Sequence, residues 1–258
     1  MDKVSIVIIE KSMDISQNKL KQFKNDGFIK LSSFLNPKKI PQIREDLEKF
    51  IVDYQNKLGS RQVNFTDGDK INSMHDLSKW KWISKIQNKK STQSLIEKVL
   101  GEKIRNFGAE LFYKPSKSGI AVPAHQDNYY WCMDDPNAVT VWIALEKATK
   151  YNGGIYYYKK SHHLGLLEHE PSLVPGSSQK IKNLKGLDLF NKIYPSLQPG
   201  DCLIHHSLVV HGSLKNSSNL SRVGITLRFV SEKSNKDKFL MKRYELELKN
   251  QIKKRLSI

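Results

Sequence analysis

Phe107-Gly108-Ala109-Glu110-Leu111-Phe112-Tyr113 opens the part of the chain that decides the fold. β-branched and aromatic residues crowd this run, and runs of the same texture return at 121–131, 139–145, 154–158, 202–206 and 222–230, with Gly, Pro and Asn between them. Short strands punctuated by turns are the pattern of an all-β sandwich or barrel. Residues 104–232 are therefore expected to form a jelly roll.

Upstream the texture is helical. Leu20 and Phe23 stand at helical spacing before an Asn25-Asp26-Gly27 turn and a short strand, Phe28-Ile29-Lys30-Leu31. Pro37 and Pro41 bracket the start of a second helix carrying Ile43, Leu47, Phe50 and Ile51 on one face. Residues 59–88 are polar and weakly patterned apart from Trp80 and Trp82, and are read as a long excursion over a site. A helix over 91–100 turns Leu95, Ile96 and Val99 inward and stops at Gly101. The fold class is thus mainly β with helical additions (α+β): a helical layer at 1–103, the jelly-roll core at 104–232 and a basic helix at 233–258, in one domain.

A chain of 258 residues suits a single large domain. Its apolar run at 4–9 ends at Glu10, and no window approaches the roughly 18 to 20 apolar residues that cross a bilayer, so no membrane partner and a cytoplasmic location are expected. Cys132 and Cys202 are too few for a disulfide framework or a zinc cluster. The net charge of +17 comes from lysines scattered along the chain. They are densest at 233–255, where Glu245 and Glu247 interleave with them as on a solvated helix face. Nucleic acid is not the expected partner.

Three stretches carry chemistry. His125-Gln126-Asp127 follows Pro123 in an expected strand, where residues two apart share a face, so His125 and Asp127 reach one metal while Gln126 points away. Far downstream, Pro199-Gly200-Asp201 makes a turn before the 202–206 strand and His211-Gly212-Ser213. A histidine from this region completes two imidazoles and one carboxylate, the set that leaves three positions on Fe(II) open for a co-substrate and dioxygen. The residues alone leave His205, His206, His162 and His163 as competitors of His211. Arg222 opens the 222–230 strand, and its planar guanidinium matches the free end of a dicarboxylate through two parallel hydrogen bonds. Arg228, six residues on, shares its face and suits an anionic substrate or an acidic neighbour.

These residues resemble the phytanoyl-CoA dioxygenase family from Phe23-Lys24-Asn25-Asp26-Gly27-Phe28 to Arg228. The family's H-x-D, N-G-G, S-H, P-G-D and H-x-S blocks, with an arginine eleven residues beyond the last histidine, stand here as His125-Gln126-Asp127, Asn152-Gly153-Gly154, Ser161-His162, Pro199-Gly200-Asp201, His211-Gly212-Ser213 and Arg222. One departure is Lys159-Lys160, where the family has Pro-Gly.

The resemblance implies a double-stranded β-helix, cupin-like core and a non-haem Fe(II)- and 2-oxoglutarate-dependent dioxygenase, consuming O2 and releasing succinate and CO2. It selects His211 beside His125 and Asp127 as iron ligands, gives Arg222 to the co-substrate, and places Trp142, Ser213 and Gln126 around it. Related halogenases replace the carboxylate ligand with a small residue; Asp127 is present, so hydroxylation is implied. The substrate is expected to be a small anionic or zwitterionic metabolite, with an acyl-CoA in reach. Arg228, Lys114, His205 and the aromatic runs containing Tyr129 and Tyr156 are the expected pocket residues. Two other readings are a nucleic-acid demethylase of the same chemistry and a non-catalytic metal- or sugar-binding barrel. Oligomeric state is left open.

Overall fold

The computed structural model describes residues 14–57, 62–66, 68, 70–174 and 176–256. The apolar run at 4–9 and the start of the 59–88 segment lie outside them. Along the chain, α1 (Gln17–Asp26), β1 (Phe28–Leu31) and α2 (Ile40–Tyr54) precede β2 (Val63–Thr66), β3 (Lys70–Met74), α3 (Lys81–Gln87) and α4 (Lys90–Leu100). Then come β4 (Ile104–Lys114), β5 (Val122–His125), α5 (Asp127–Trp131), β6 (Ala138–Ala144), β7 (Ile155–Tyr158), β8 (His169–Val174) and β9 (Ser177–Ile181). The rest is β10 (Lys192–Ile193), β11 (Cys202–His206), β12 (His211–Ser213), β13 (Arg222–Ser231) and α6 (Lys238–Leu256).

Local chemistry sets the helix ends. Ser16 caps α1 by accepting from the Lys19 amide. Gly27, at φ +81°, ends it in the left-handed conformation and returns its N–H to Phe23 at 2.8 Å. Gly101 stops α4 the same way.

A seven-stranded sheet of order β1-β11-β6-β13-β4-β3-β2 faces a four-stranded sheet of order β10-β7-β12-β5, both antiparallel, with β8-β9 as a separate hairpin. This is the expected jelly roll. Strand alternation divides the large sheet's side chains. Val139, Val141 and Ile143 of β6, Cys202 and Ile204 of β11, and Val223, Ile225, Leu227 and Phe229 of β13 join Phe23, Leu47, Phe50, Leu95 and Ile96 of the helices in one core. Each such side chain, fully buried, contributes roughly 1.5–3 kcal/mol. The alternate residues Thr140, Trp142, His205, Arg222, Thr226 and Arg228 face the small sheet instead and line a cavity between the sheets.

Two expectations need correction. The strand over 121–131 stops at His125: Cys132, at φ +51°, ends a helical turn begun at Asp127, so His125 and Asp127 converge from a strand end and a helix start, and not from one strand face. Within 59–88, β2 and β3 form a hairpin that extends the large sheet through the β3–β4 pairing; among the segment's described residues, Asn64 and His75 reach the cavity. Lys160 stands where the resemblance expects glycine, and it keeps the glycine conformation, φ +67°.

Candidate metal centre and active-site cavity

His125 at the end of β5, Asp127 at the start of α5 and His211 at the start of β12 bring one ligand atom each within 4.8 Å of one another. Antiparallel pairing puts His211 directly opposite His125. Asp127 Oδ1 lies 3.8 Å from His125 Nε2 and 3.6 Å from His211 Nε2.

The surroundings set the protonation of all three. His125 Nδ1 is 2.8 Å from the Pro123 carbonyl and His211 Nδ1 is 3.0 Å from that of Val209. A carbonyl only accepts, so each Nδ1 carries the proton and each Nε2 turns its lone pair inward, the tautomer a metal needs. Burial pushes both imidazoles down to about 4, helped by His211 at His125 and by His205 at His211. Burial opposes ionisation of Asp127, yet His211 and His205 hold its carboxyl far below the usual carboxylate range.

Oδ2 of Asp127 is occupied. Thr140 Oγ1 donates to it at 2.6 Å and His205 Nε2 at 3.1 Å. Tyr157, its phenol raised well above the ordinary value by burial, donates to His205 Nδ1 at 2.8 Å and so fixes which nitrogen of His205 carries hydrogen. Oδ1 is left to face the histidines. Two neutral imidazoles and one carboxylate oxygen are the donor set of non-haem Fe(II) centres, and the residues fit that ion.

At one end of the cavity sits Arg222, 2 % exposed. Its NH1 reaches the Phe112 carbonyl at 3.3 Å, but its Nε is buried without a partner. Burial pulls it down to about 9, Glu146 opposing, so it is cationic at neutral pH. Glu146 is itself engaged by Arg44 and Ser221. A buried guanidinium short of acceptors suits an incoming carboxylate. Trp142 lies 5.2 Å from it, ring to Cζ, and Ser213 lines the same end. Gly224 makes this packing feasible: a Cβ there would stand 2.0 Å from the Trp142 indole.

Three expected site residues do other work. Gln126 is fully buried with its amide spent on the Gly165 and Leu208 carbonyls and the Leu167 N–H, away from the cavity. Lys114 donates to the Ile120 and Leu214 carbonyls at 2.5 and 2.6 Å, and burial, with Arg222 adding to it, pulls it down to about 6. Tyr129 stacks on His169 at 4.0 Å and hydrogen-bonds Glu247, leaving Tyr130 to line the cavity. His205 and Arg228 do line it; of the second aromatic run, Tyr156-Tyr157-Tyr158, no member does, and Ile155 just before the run lines it instead.

The sequence reading had Tyr157 only as a member of an aromatic run, and it missed Thr140 and His169, whose Nε2 accepts from the Gln126 N–H between the two ligands at 3.1 Å. It also missed that Tyr244, Leu248 and Gln251 of α6 wall the cavity, which has a volume of about 660 Å³. Their spacing along a helix was the available signal.

A family model for phytanoyl-CoA dioxygenase (PhyH) matches residues 23–224. The peroxisomal phytanoyl-CoA dioxygenase of Bos taurus is 24 % identical over 236 residues, covering 83 % of this chain and 68 % of its own length. The ectoine dioxygenase of Nocardia farcinica is 21 % identical over 234 residues, covering 84 % and 78 %. The crystal structure of EctD from S. alaskensis with 2-oxoglutarate and 5-hydroxyectoine superposes with a TM-score of 0.71 at 18 % identity, over 88 % of this chain and 81 % of that one. With the family model matching most of its length, the chain belongs to the phytanoyl-CoA dioxygenase family.

Proposed function

We propose that this protein is an Fe(II)- and 2-oxoglutarate-dependent hydroxylase of a small anionic or zwitterionic metabolite, with His125, Asp127 and His211 as iron ligands and Arg222 as the co-substrate anchor. The observation that carries this reading is the meeting of the three ligand atoms and a buried, under-partnered guanidinium on one cavity. When bound, iron with 2-oxoglutarate and O2 supplies an oxidant able to hydroxylate a C–H bond, the co-substrate leaving as succinate and CO2.

The chain's own residues supply order. The Pro123 and Val209 carbonyls hold the imidazoles in the ligating tautomer. Thr140 and His205 occupy one oxygen of Asp127 and leave the other for the metal. Arg222, with Trp142 and Ser213, orients the co-substrate by its far carboxylate. Tyr130, Tyr244 and Leu248 exclude water from the substrate side.

The relatives' names cover an acyl-CoA and ectoine. A cavity walled by α6 favours the compact substrate over the acyl-CoA, and among the described residues lining it the lysines and arginines number two, Arg222 and Arg228, few for a nucleic-acid strand. No helix among the described residues is long and apolar enough to cross a membrane, and a cytoplasmic location remains part of the proposal. Under anaerobic conditions, Fe(II) plus 2-oxoglutarate is expected to give a visible charge-transfer band that Asp127→Ala abolishes. An intact protein that shows no band would favour a non-catalytic binder.

A further inference from the structure

The cavity has a second charged end. Arg222 and Arg228 share the inner face of β13, six residues and therefore about 20 Å apart along the strand, so one small dicarboxylate cannot serve both. Around Arg228 the fold is specially built. Its NH1 donates to Glu110 Oε1 at 3.0 Å, and the same oxygen accepts from His75 Nδ1 at 3.0 Å. His75 Nε2 meets Ser73 Oγ at 3.1 Å, and Asn64 Nδ2 donates to that hydroxyl at 3.2 Å. Nδ1 of His75 donates to the carboxylate, and Ser73 Oγ, which accepts from Asn64, braces the far side of the ring, so Glu110 is held at the end of a hydrogen-bonded chain.

Backbone irregularity serves the same group. The β13–β4 register shifts after Arg228, a bulge that places Gly108 beneath the guanidinium at φ +143°. A Cβ at 108 would stand 2.6 Å from Arg228 NH2. Phe107 and Trp131 lie 5.7 and 6.0 Å from Cζ of Arg228. Satisfaction is incomplete, for Arg228 Nε and the cavity-lining Ser177 Oγ are buried without partners. Neither group takes part in holding the metal or the co-substrate.

We propose that Glu110 and Arg228, oriented by His75 and the Gly108 bulge, form the substrate pole of the cavity and select a compact zwitterion: an amine-bearing carboxylic acid of the amino-acid type, its ammonium on Glu110 and its carboxylate on Arg228 and Ser177. A simple acid would meet Arg228 beside the negative charge of Glu110 with no ammonium to offset it, and a simple amine would meet Glu110 beside the positive charge of Arg228 with no carboxylate to offset it. The inference deepens the oxygenase reading and rests on it.

The test uses the full chain loaded anaerobically with Fe(II) and 2-oxoglutarate. The probes are proteinogenic L-amino acids and cyclic imino acids, the same compounds N-acetylated, and the same compounds as C-terminal amides. Thermal melting reports binding, and succinate release on admitting air reports turnover. At least one free zwitterion is expected to raise the melting temperature and stimulate succinate, with its N-acetyl form at least 10-fold weaker in the parent. Glu110→Gln is expected to narrow that ratio. His75→Gln keeps both charges and loosens Glu110; it is expected to raise KM for the zwitterion more than it lowers kcat, which a purely structural role would not do. N-acetyl or C-terminal amide forms acting as well as the free zwitterions, or no zwitterion shifting the melt, overturns the proposal. Succinate release by the parent with Fe(II) and 2-oxoglutarate alone reports the oxygenase reading separately, so the two can fail independently.

Discussion

Arg222 at the start of β13 and Arg228 six residues along it present the same side chain to the same cavity, and the fold surrounds the two guanidiniums differently. Arg222 is sealed to 2 % exposure with a backbone carbonyl and an indole face for company. Arg228 keeps 17 % side-chain exposure and a carboxylate partner in Glu110. An arginine stripped of counter-charge stores attraction for an anion that arrives from outside, whereas one already paired offers a neutral, two-sided surface. The difference teaches that burial without a partner marks an anchor, and that burial with one marks a selector.

Replacing each arginine sharpens the contrast. Arg222→Gln removes a desolvated charge pair worth about 2–5 kcal/mol, so KM for 2-oxoglutarate should rise at least 30-fold, and at least ten times more than Arg228→Gln raises it. Arg222→Lys should recover part of the loss, lacking the planar fork. Equal effects at both ends would erase the distinction.

At the metal cluster, Thr140→Val keeps the side chain's shape while deleting one donor to Asp127. Loss of such an outer contact costs on the order of 10- to 100-fold in metal affinity, measurable by anaerobic Co(II) titration. The backbone of Gln126, between two of the ligands, leans on His169, which burial pushes down to about 3 against an ordinary value near 6.5. Across that window the unfolded chain holds a proton the folded chain does not, so stability is complete above about pH 6.5 and falls by up to about 1.4 kcal/mol per pH unit as pH drops towards 3. Urea melts should show a shallower acid slope for His169→Phe, which keeps a ring against Tyr129. Remote from both poles, Lys160→Gly relieves a left-handed residue and should stabilise the fold by about 1 kcal/mol, moving neither KM.

Much of this was legible along the chain because it is local. His125 and Asp127 pair by spacing and the strands show by alternation, whereas His211 is singled out from His205, His206, His162 and His163 only through the family resemblance, which also gives Arg222 its role. What stayed hidden depends on tertiary neighbours. Gln126 and Lys114 look like ligand-binding polar residues until the carbonyls that consume them are seen. Asp127 reads as a strand residue because nothing in Asn128-Tyr129-Tyr130 forbids extension, yet Asn128 bonds across to Met133 and closes a helical turn. The C-terminal segment reads as a solvated charged helix, since Tyr244, Leu248 and Gln251 are sparse among lysines and glutamates. Only the placement of α6 against the cavity turns that stripe into a wall.

The central claim is a place for iron. Crystals grown anaerobically with Fe(II) and 2-oxoglutarate, measured at the iron absorption edge, should show one anomalous peak bounded by His125 Nε2, Asp127 Oδ1 and His211 Nε2, with the co-substrate's far carboxylate on Arg222. A peak elsewhere, for instance beside His162 and His206, or an Arg222 that meets no carboxylate, would contradict it.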